Sequence, residues 1–364
     1  MSRPDLQLIV AGDPDQLTGG YLYDAHIAEA LRARGWVVTV TGLAGRFPDP
    51  DARARRSLAE TLAGLPDGAR VVIDGLALGG LPDAVAPHAV RLDLTGLVHH
   101  PLAEESGLDA DTRERLFACE RRALAQVRRV IATSAYTARG LARYGVSAER
   151  IRVVEPGVEP APLAASARAE GPDTGGNRLL CVATLTPRKG HDRLLEALAG
   201  ITDRAWHLDL VGSPARDPAW AERLFAATRE YRLAERVTWH GELDGERLAA
   251  LWQAADLSVL ASRYEGYGMV VSEALARGLP VVATTGGALV DTLPPEAGLA
   301  VAPNDAAALR AALTRWLDEP ALRRCLRQGA RAARERLADW PTAGVRFAAA
   351  LDEKPVMPSC GERT

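Results

Sequence analysis

Lysine is almost absent from this chain of 364 residues, where Lys189 and Lys354 are the only two among 44 lysines and arginines. Arginine is therefore the default cation, and a lysine within a tight motif is of interest. The formal net charge is −3, and neither half of the chain forms a basic module. Charge gives no indication of a nucleic-acid partner.

Cysteines and long apolar runs are also scarce. The four cysteines are far apart and form no C-x-x-C pair, which argues against a metal or disulfide framework. No apolar run reaches the ~18 residues that a membrane span needs, and the N-terminus carries no export signal. We therefore expect a cytoplasmic protein. Arg115, Arg122 and Arg129 are predicted on one exposed stripe of a helix, and a solvated face is the default interpretation of such a stripe. Peripheral membrane contact through these arginines is an alternative that nothing else in the sequence supports.

Strand-length apolar runs alternate with helical periodicity along the chain. A strand at 6–11 is followed by a turn, a helix at 21–34 and a strand at 36–41, and the same pattern restarts at residue 179. The alternation predicts two α/β domains with parallel sheets, over 1–158 and 178–335. Residues 159–177, rich in Ala, Pro and Gly, are predicted to be a linker. A final helix is predicted at 336–352, with a loose tail at 353–364.

Residues 262–287 carry the strongest functional signal. Glu265 is predicted on a loop and Glu273 inside the following helix, with Gly266, Tyr267 and Gly268 between them. A glycine-rich loop that leads into a helix collects unpaired N–H groups and the positive end of the helix dipole, which suits an anionic ligand. Carboxylates beside such a site can accept hydrogen bonds from sugar hydroxyls. The combination points to a nucleotide-sugar, although a surface loop and a solvated helix would give the same spacing.

A second constellation is the turn after the strand that begins the second half. Arg188 and Lys189 are adjacent there and precede Gly190. Two cations at a strand end can neutralise a diphosphate, the arginine by a forked contact and the lysine as a point charge. An ordinary solvated basic turn is the alternative.

The first half offers weaker candidates. Gly19 and Gly20 are predicted in a loop before a helix, which is a geometry that accepts phosphate. His99 and His100 end a predicted strand, where an imidazole can donate a hydrogen bond to a sugar hydroxyl; a packed or solvent-facing histidine is the alternative for either. The dinucleotide fingerprint G-x-G-x-x-G is missing, which argues against an NAD-dependent enzyme.

A metal role is not expected for the Asp-x-Asp pairs. The first is Asp13 with Asp15, and the spacing recurs at Asp49 with Asp51 and at Asp109 with Asp111. The later two pairs precede predicted helices, where aspartate is a common N-cap. We predict that the protein needs neither metal nor cofactor.

The stretch around the two glutamates resembles the signature of the retaining glycosyltransferases of family four, which have the GT-B fold. The resemblance rests on Ser262, Glu265, Gly266, Gly268, Glu273, Ala274 and the run Gly278-Leu279-Pro280-Val281. It implies two Rossmann-like, doubly wound domains that face a central cleft: a first domain that binds the acceptor and a second that binds the nucleotide-sugar. It also implies that the last helix crosses back to the first domain.

The resemblance also implies roles for single residues. In the family the first glutamate lies by the donor sugar and the second holds the ribose hydroxyls, which carries over to Glu265 and Glu273. An arginine and a lysine of the family grip the pyrophosphate. Lys189 matches the lysine, whereas Thr184 stands where the arginine is expected, so Arg188 is the proposed substitute.

In the first half, the family places a glycine-rich loop, here Gly19 and Gly20, against the donor diphosphate. A histidine at the strand end touches the donor sugar in the family. His99 is favoured for that contact and His100 is the alternative.

These observations together predict a retaining transferase that moves a hexose from a nucleoside diphosphate sugar to a hydroxyl acceptor of unknown identity. Catalysis is expected from Lys189, Arg188, Glu265 and His99. A nucleotide-sugar epimerase of the same fold and a non-catalytic nucleotide-sugar-binding protein stay open as alternatives. The replacement of the expected arginine by Thr184 is the main support for the second.

Overall fold

The computed structural model describes residues 4–105, 107–168, 177–243 and 245–353. The strands in chain order are β1 Asp5–Ala11, β2 Val37–Leu43, β3 Arg70–Asp74, β4 Asp93–Val98, β5 Arg129–Ala132, β6 Ile151–Val153, β7 Arg178–Val182, β8 His207–Val211, β9 Val237–Gly241, β10 Leu257–Leu260, β11 Val281–Thr284 and β12 Gly298–Val301. The α-helices are α1 Gly19–Ala33, α2 Ala52–Ala63, α3 Gly75–Leu78, α4 Pro82–Val85, α5 Ala110–Gln126, α6 Ala135–Gly140, α7 Ala165–Arg168, α8 His191–Ala199, α9 Pro218–Glu230, α10 Gly245–Ala254, α11 Met269–Ala276, α12 Leu289–Thr292, α13 Ala306–Asp318, α14 Pro320–Arg334 and α15 Trp340–Asp352. Within those ranges, none of the helices is long and apolar enough to cross a membrane.

The chain divides into two compact units. Unit 1 comprises residues 1–157 and 340–364, and unit 2 comprises residues 158–339. Each contains one six-stranded sheet in which all neighbouring strands are parallel. The predicted α/β class with two doubly wound sheets is therefore confirmed. Helix α15 belongs to unit 1, where it packs closely against α1: a Cβ on Gly344 would lie 2.6 Å from the Cβ of Ala30.

The sheet of unit 1 has the strand order β2-β1-β3-β4-β5-β6. Its inner strands β1, β3, β4 and β5 consist of short β-branched and leucine-rich runs that are largely buried, as parallel strands covered by helices require, whereas the edge strands β2 and β6 are partly exposed. The chain moves to one side of β1 to form β2 and to the other to form β3. The carboxyl ends of β1 and β3 therefore flank a topological switch point, where ligands bind in open α/β sheets.

The sheet of unit 2 has the order β12-β11-β10-β7-β8-β9. Here the switch point lies between β7 and β10, because β7 leads outward to β8 while β10 leads outward to β11. The loops that follow β7 and β10 are consequently neighbours. These are the loops that contain the predicted basic turn and the first glutamate.

Side-chain caps fix the starts of several helices. Asp51 and Asp109 accept hydrogen bonds from the N–H groups of Ala54 and Thr112, at 2.8 Å in each case, and thus begin α2 and α5. Ser134 caps α6 through the N–H of Thr137 at 3.0 Å. The predicted capping roles of the two aspartates are confirmed.

The boundaries differ from the prediction at two places in unit 1. Gly19 and Gly20 are the first two residues of α1 and not a loop before it, because the helix begins directly after Thr18, which is extended. Arg129 is in β5 and is 7% exposed, because α5 ends at Gln126 and Val127 is already extended, so its place in the predicted arginine stripe was wrong. Arg115 and Arg122 do lie on α5 with exposed side chains. Arg129 Nη1 lies 3.4 Å from Asp93 Oδ2.

The predicted linker is packed where it is described. Residues 159–168 lie in unit 2, and Ala164 and Ala167 are buried in its core. Alanine and proline give no periodic pattern, so the burial of this segment left no signal in the sequence. Residues 169–176 of the linker and 354–364 of the tail lie outside the described residues. Strand β12 was not predicted, because a four-residue strand that begins with Gly298 has little strand propensity.

Candidate active site

In unit 2 the first glutamate of the sequence signal is buried against both cations of the basic turn. The Glu265 carboxylate is 8% exposed; it accepts a hydrogen bond from Lys189 Nζ at 2.5 Å on Oε1 and one from Arg188 Nη1 at 3.2 Å on Oε2. Ser262 Oγ donates to Oε1 as well, at 2.6 Å. The contact exists because β7 and β10 are adjacent in the sheet, which brings together residues that are 76 positions apart in sequence.

The charge state of Glu265 follows from these contacts. Burial by itself would raise the pKa of this carboxyl group. Lys189, Arg188 and the hydrogen bond from Ser262 override that effect and hold the pKa at about 2, so the group is an anion at neutral pH. Burial lowers the pKa of the neighbouring His191 to about 4, and this imidazole therefore adds no charge. The formal sum of the two cations and one carboxylate is positive, which favours an anionic ligand.

Glycines let the chain approach itself closely around Glu265. Gly287 has a φ of +64°, and a Cβ there would lie 2.3 Å from the Glu265 carbonyl oxygen. The Glu265 backbone is held from both sides, since its N–H donates to Gly286 O at 3.2 Å and its carbonyl accepts from Ala288 N–H at 2.8 Å. The loop that carries the glutamate therefore has a fixed backbone.

The rest of the loop leads into α11 as predicted. Gly268 adopts the left-handed conformation with a φ of +91° directly before Met269, the first residue of the helix. Gly266 lies half-buried in the loop, and the carbonyl of Tyr267 accepts a hydrogen bond from Thr292 Oγ1 at 2.6 Å. The first N–H groups of α11 thus lie in the same loop system as the buried ion pair, which adds partial positive charge.

Glu273 lies in α11, confirming its predicted element. Burial raises the pKa of its carboxyl group, and Arg277 opposes that shift. Arg277 Nη1 donates to the backbone carbonyl of Glu273 at 2.8 Å and its guanidinium lies 5.1 Å from the ring centre of Trp252. These two contacts fix the Arg277 side chain, and Glu273 itself is half-buried.

Thr184 is half-buried just after β7, and its carbonyl accepts a hydrogen bond from Thr186 N–H at 2.8 Å. No cation occupies that position. Arg188 reaches the same carboxylate as Lys189 from the following turn, so a guanidinium is present at the site even though it comes from a different place in the sequence.

In unit 1, His99 lies between two buried aspartates. Its Nε2 is 3.2 Å from Asp24 Oδ1 and 3.3 Å from Asp74 Oδ2. Asp24 comes from α1, which follows β1, and Asp74 ends β3, so this group assembles at the switch point of the first sheet. Gly20 is in contact with the ring, since a Cβ there would lie 3.3 Å from His99 Cδ2.

Burial alone would lower the pKa of the His99 imidazole, but the two aspartates raise it to about 10. Burial raises the pKa of Asp24 to about 6 against the opposing effect of His99. His99 is therefore a cation at neutral pH whose Nε2–H donates to carboxylates. One ligand atom each from Asp24, Asp74 and His99 lie within 4.8 Å of one another, a spacing that suits a metal ion, but a protonated imidazole is no metal ligand. Metal independence stays a prediction.

His100, the other candidate, has its Nε2 3.4 Å from Glu105 Oε2. It does not share the aspartate group with His99. Unit 1 also contains a cavity of about 510 Å³, lined by Ala103, Glu104, Ala110, Arg113, Glu114, Phe117 and Arg143. None of the predicted site residues lines it.

Sequence reasoning missed Asp24 and Asp74. Asp74 had a usable signal, because it is a carboxylate at the end of the buried run Val71-Val72-Ile73 and thus at the carboxyl edge of a sheet. Asp24 had none, since an aspartate in an amphipathic helix is normally solvated. Its burial at 4% exposure depends on the packing of α1.

Comparison with known proteins places the chain in a family. Residues 23–161 match the model named Glycosyltransferase Family 4, and residues 164–333 match the model named Glycosyl transferases group 1. MMP alpha-(1->4)-mannosyltransferase of Mycolicibacterium hassiacum is 30% identical over 308 residues, which cover 79% of this chain and 72% of that protein. The chain belongs to glycosyltransferase family 4.

Other relatives agree. Glycogen synthase of Mycobacterium tuberculosis is 34% identical over 203 residues, which cover 55% of this chain and 47% of the synthase, so the match spans about half of that protein's length. The structure of sucrose-phosphate synthase from Thermosynechococcus elongatus superposes with a TM-score of 0.80 at 26% identity, covering 95% of this chain and 98% of that one. HepE of Anabaena gives 0.74 at 19% identity over 95% and 99% of the two chains, which shows the shared fold. The family four glycosyltransferase fold expected from the sequence is confirmed.

Proposed function

We propose that this family four member is a retaining, metal-independent glycosyltransferase that moves a hexose from a nucleoside diphosphate sugar to a hydroxyl acceptor. The observation that carries the proposal is the group formed by Lys189, Arg188 and Glu265. It is a buried, net positive cluster at the switch point of the second sheet, beside a helix N-terminus, where a diphosphate is favoured over a neutral ligand.

The chemistry follows from where negative charge develops. When the bond between the sugar C1 and the phosphate oxygen breaks, the diphosphate gains charge, and preorganised cations stabilise it most in that state. Lys189 and Arg188 supply those cations, after exchanging contacts with Glu265 for contacts with phosphate oxygens. The N–H groups at the start of α11 add to the same field.

Glu265 does not serve as the acid of the reaction, because a group with a pKa of about 2 holds no proton at neutral pH. Its carboxylate holds Lys189 before the donor binds and accepts hydrogen bonds from the donor sugar afterwards. In the proposed same-face mechanism the acceptor oxygen bonds to C1 on the side that the phosphate leaves, and the departing phosphate oxygen takes the acceptor's proton. Glu273 holds the ribose hydroxyls, and charged His99 donates to the sugar with Gly20 packed against its ring.

Relatives favour transfer over the two alternatives. One relative is a mannosyltransferase by name, two others are named as synthases of glycogen and of sucrose phosphate, and HepE was solved with UDP and glucose. The substitution at Thr184 was the argument for a non-catalytic protein. It loses force because Arg188 Nη1 lies 3.2 Å from Glu265 Oε2 and brings a second cation to the same carboxylate.

The first experiment is a thermal-shift panel of UDP-, ADP- and GDP-hexoses, with and without EDTA. A donor that binds the folded state raises the melting temperature with the logarithm of its saturation. The donor identified in this way is then incubated with an acceptor pool from a cell extract, and the released nucleoside diphosphate is measured. An α-linked product from an α-linked donor, detected by NMR, is the expected stereochemistry, and a β-linked product would exclude retention.

Lys189→Ala tests the role of the cation. We expect kcat to fall by about 100-fold or more, since preorganised charge of this kind is worth ~3 kcal/mol in the transition state. Arg204→Ala is the matched control, because Arg204 is a unit 2 cation paired with Asp318 at 2.8 Å away from the turn. Wild-type turnover by Lys189→Ala would rule out the proposed stabilisation of the leaving group.

A further inference from the structure

Arg263 connects the two segments that carry the proposed donor ligands. Its guanidinium donates hydrogen bonds to the carbonyl of Pro187, to Asp192 Oδ2 at 2.6 Å and to Asn304 Oδ1 at 2.7 Å. Its backbone N–H donates to the carbonyl of Arg188 at 2.7 Å. The residue is two positions from Glu265, so it ties the Glu265 loop to the turn 187–190 through both its main chain and its side chain.

The turn needs such support, because it is short. Residues 187–189 form a single 3₁₀ turn, and Gly190 follows with a φ of +66°. Three residues make too few internal hydrogen bonds to fix the backbone by themselves. On one side the turn rests on the end of β10, where a Cβ on Gly190 would lie 2.0 Å from the Ala261 carbonyl oxygen. Arg263 holds its other side through the carbonyls of Pro187 and Arg188.

Ligand binding makes this support important. Lys189 and Arg188 both contact Glu265 in the structure, so a diphosphate must draw their side chains away from that carboxylate. The backbone of the turn then keeps its place only through contacts that the exchange leaves intact. The contacts of Arg263 with Pro187, Asp192 and Asn304 do not involve Glu265 and persist.

Arg263 itself is not a ligand for the donor phosphate. Its three guanidinium nitrogens already donate to protein acceptors, Nε to Asn304, Nη1 to Pro187 and Nη2 to Asp192, whose Oδ2 also accepts from Arg193 Nε at 3.1 Å. A planar guanidinium can reach three acceptors in different directions at once, whereas a lysine cannot reproduce that geometry. The contacts therefore explain why an arginine is found here.

We propose that Arg263 is a positioning residue for the transfer reaction, which fixes the turn 187–190 so that Lys189 and Arg188 reach the donor diphosphate. The inference rests on the proposed assignment of those two cations. It predicts an effect that is specific to the β-phosphate, because the proposed function assigns the turn to the leaving diphosphate and not to the nucleoside.

The test compares dissociation constants for UDP and UMP, or for ADP and AMP if the donor panel selects adenine. The ratio of the monophosphate Kd to the diphosphate Kd measures the benefit of the β-phosphate. Arg263→Gln should lower this ratio about tenfold and leave the monophosphate Kd unchanged, corresponding to the loss of about one charge-assisted hydrogen bond. Arg263→Lys should restore only part of the ratio.

Arg323→Gln is the matched control. Arg323 is a buried unit 2 arginine that donates to two backbone carbonyls, those of Trp316 and Leu317, at the end of α13. A loss of stability alone should leave the ratio unchanged in this variant. A ratio that falls equally in Arg323→Gln would show that general destabilisation is the cause and would overturn the proposal.

Two further outcomes separate the inference from the proposed function. If Lys189→Ala lowers the ratio and Arg263→Gln does not, the positioning role is wrong while the diphosphate assignment stands. If neither variant lowers it, the assignment of the turn to the diphosphate is wrong and the inference fails with it.

A milder variant tests the positioning role if Arg263→Gln does not fold. Asn304 has a φ of +63°, so Asn304→Gly keeps the left-handed backbone and removes one acceptor of Arg263. The ratio should fall about threefold, as expected for one hydrogen bond. An unchanged ratio in folded Asn304→Gly would then overturn the proposal.

Discussion

Removal of the Glu265 charge should show how much the ion pairs of the candidate active site contribute to stability and to anion binding. Glu265→Gln keeps the shape of the side chain but leaves Lys189 and Arg188 facing each other without a counter-charge, at 17% and 18% side-chain exposure. Loss of one partner from a buried ion pair is costly, because the remaining charge is poorly solvated. We expect the variant to be less stable and to bind anions more readily.

The pKa gives the size of the effect. The carboxyl group shifts from the ordinary value of 4.5 to about 2 in the folded protein, and each pKa unit is worth ~1.4 kcal/mol. Ionised Glu265 therefore contributes about 3 kcal/mol to the free energy of unfolding at pH 7.

The sign of the pH dependence follows from the lowered pKa. The contribution is fully present above pH 4.5 and is lost as the pH falls toward 2. About 1 kcal/mol of it should be gone at pH 3.5. The stability difference between wild type and Glu265→Gln should shrink accordingly.

Urea unfolding followed by tryptophan fluorescence is the suitable assay. Five of the seven tryptophans lie in unit 2, namely Trp206, Trp220, Trp239, Trp252 and Trp316. Sodium pyrophosphate should raise the melting temperature of Glu265→Gln more than that of wild type, because the anion replaces the missing carboxylate. Equal unfolding free energies of the two proteins at pH 7 would refute the reasoning.

Two other predictions concern the backbone of the loop and the charge of the histidine. Gly268→Ala should lower the unfolding free energy by about 1–3 kcal/mol, because φ is +91° there and the new Cβ would lie 2.5 Å from Leu289 Cδ2. Gly245→Ala is the control, since the space around its Cβ is open. Equal urea midpoints for the two variants would contradict this prediction. His99 should keep its proton up to pH 8.5 in an NMR titration of the imidazole, since its pKa is raised to about 10, and its stabilising effect, complete below pH 6.5, should fade only as the pH rises toward 10. A titration midpoint near 6.5 would show that Asp24 and Asp74 do not hold the charge.

Much of the fold could be predicted from local pattern. The first strand, predicted at 6–11, is Asp5–Ala11 in the structure, because it is a short apolar segment that a turn follows directly. The helix containing Glu273 was predicted because Gly278 and Pro280 mark its end, and Gly278 does adopt a φ of +69° there. The starts of helices were predicted less accurately than their ends. The two glycines at 19 and 20 suggested a loop, but the first turn of a helix tolerates glycine, since its N–H groups have no partner within the helix in any case.

The amino-acid sequence by itself determined the class of fold, the family and the residue types of the candidate site. Periodicity and turn residues depend on local backbone preferences, and the signature around Glu265, Gly268 and Glu273 is a local string. Only the tertiary structure determined which charged side chains are in contact. Strand order makes β7 and β10 neighbours and thereby joins Lys189 and Arg188 to Glu265, and it brings Asp24 and Asp74 to His99. Such contacts span tens of residues and arise from the burial of whole sheets, so no local pattern records them.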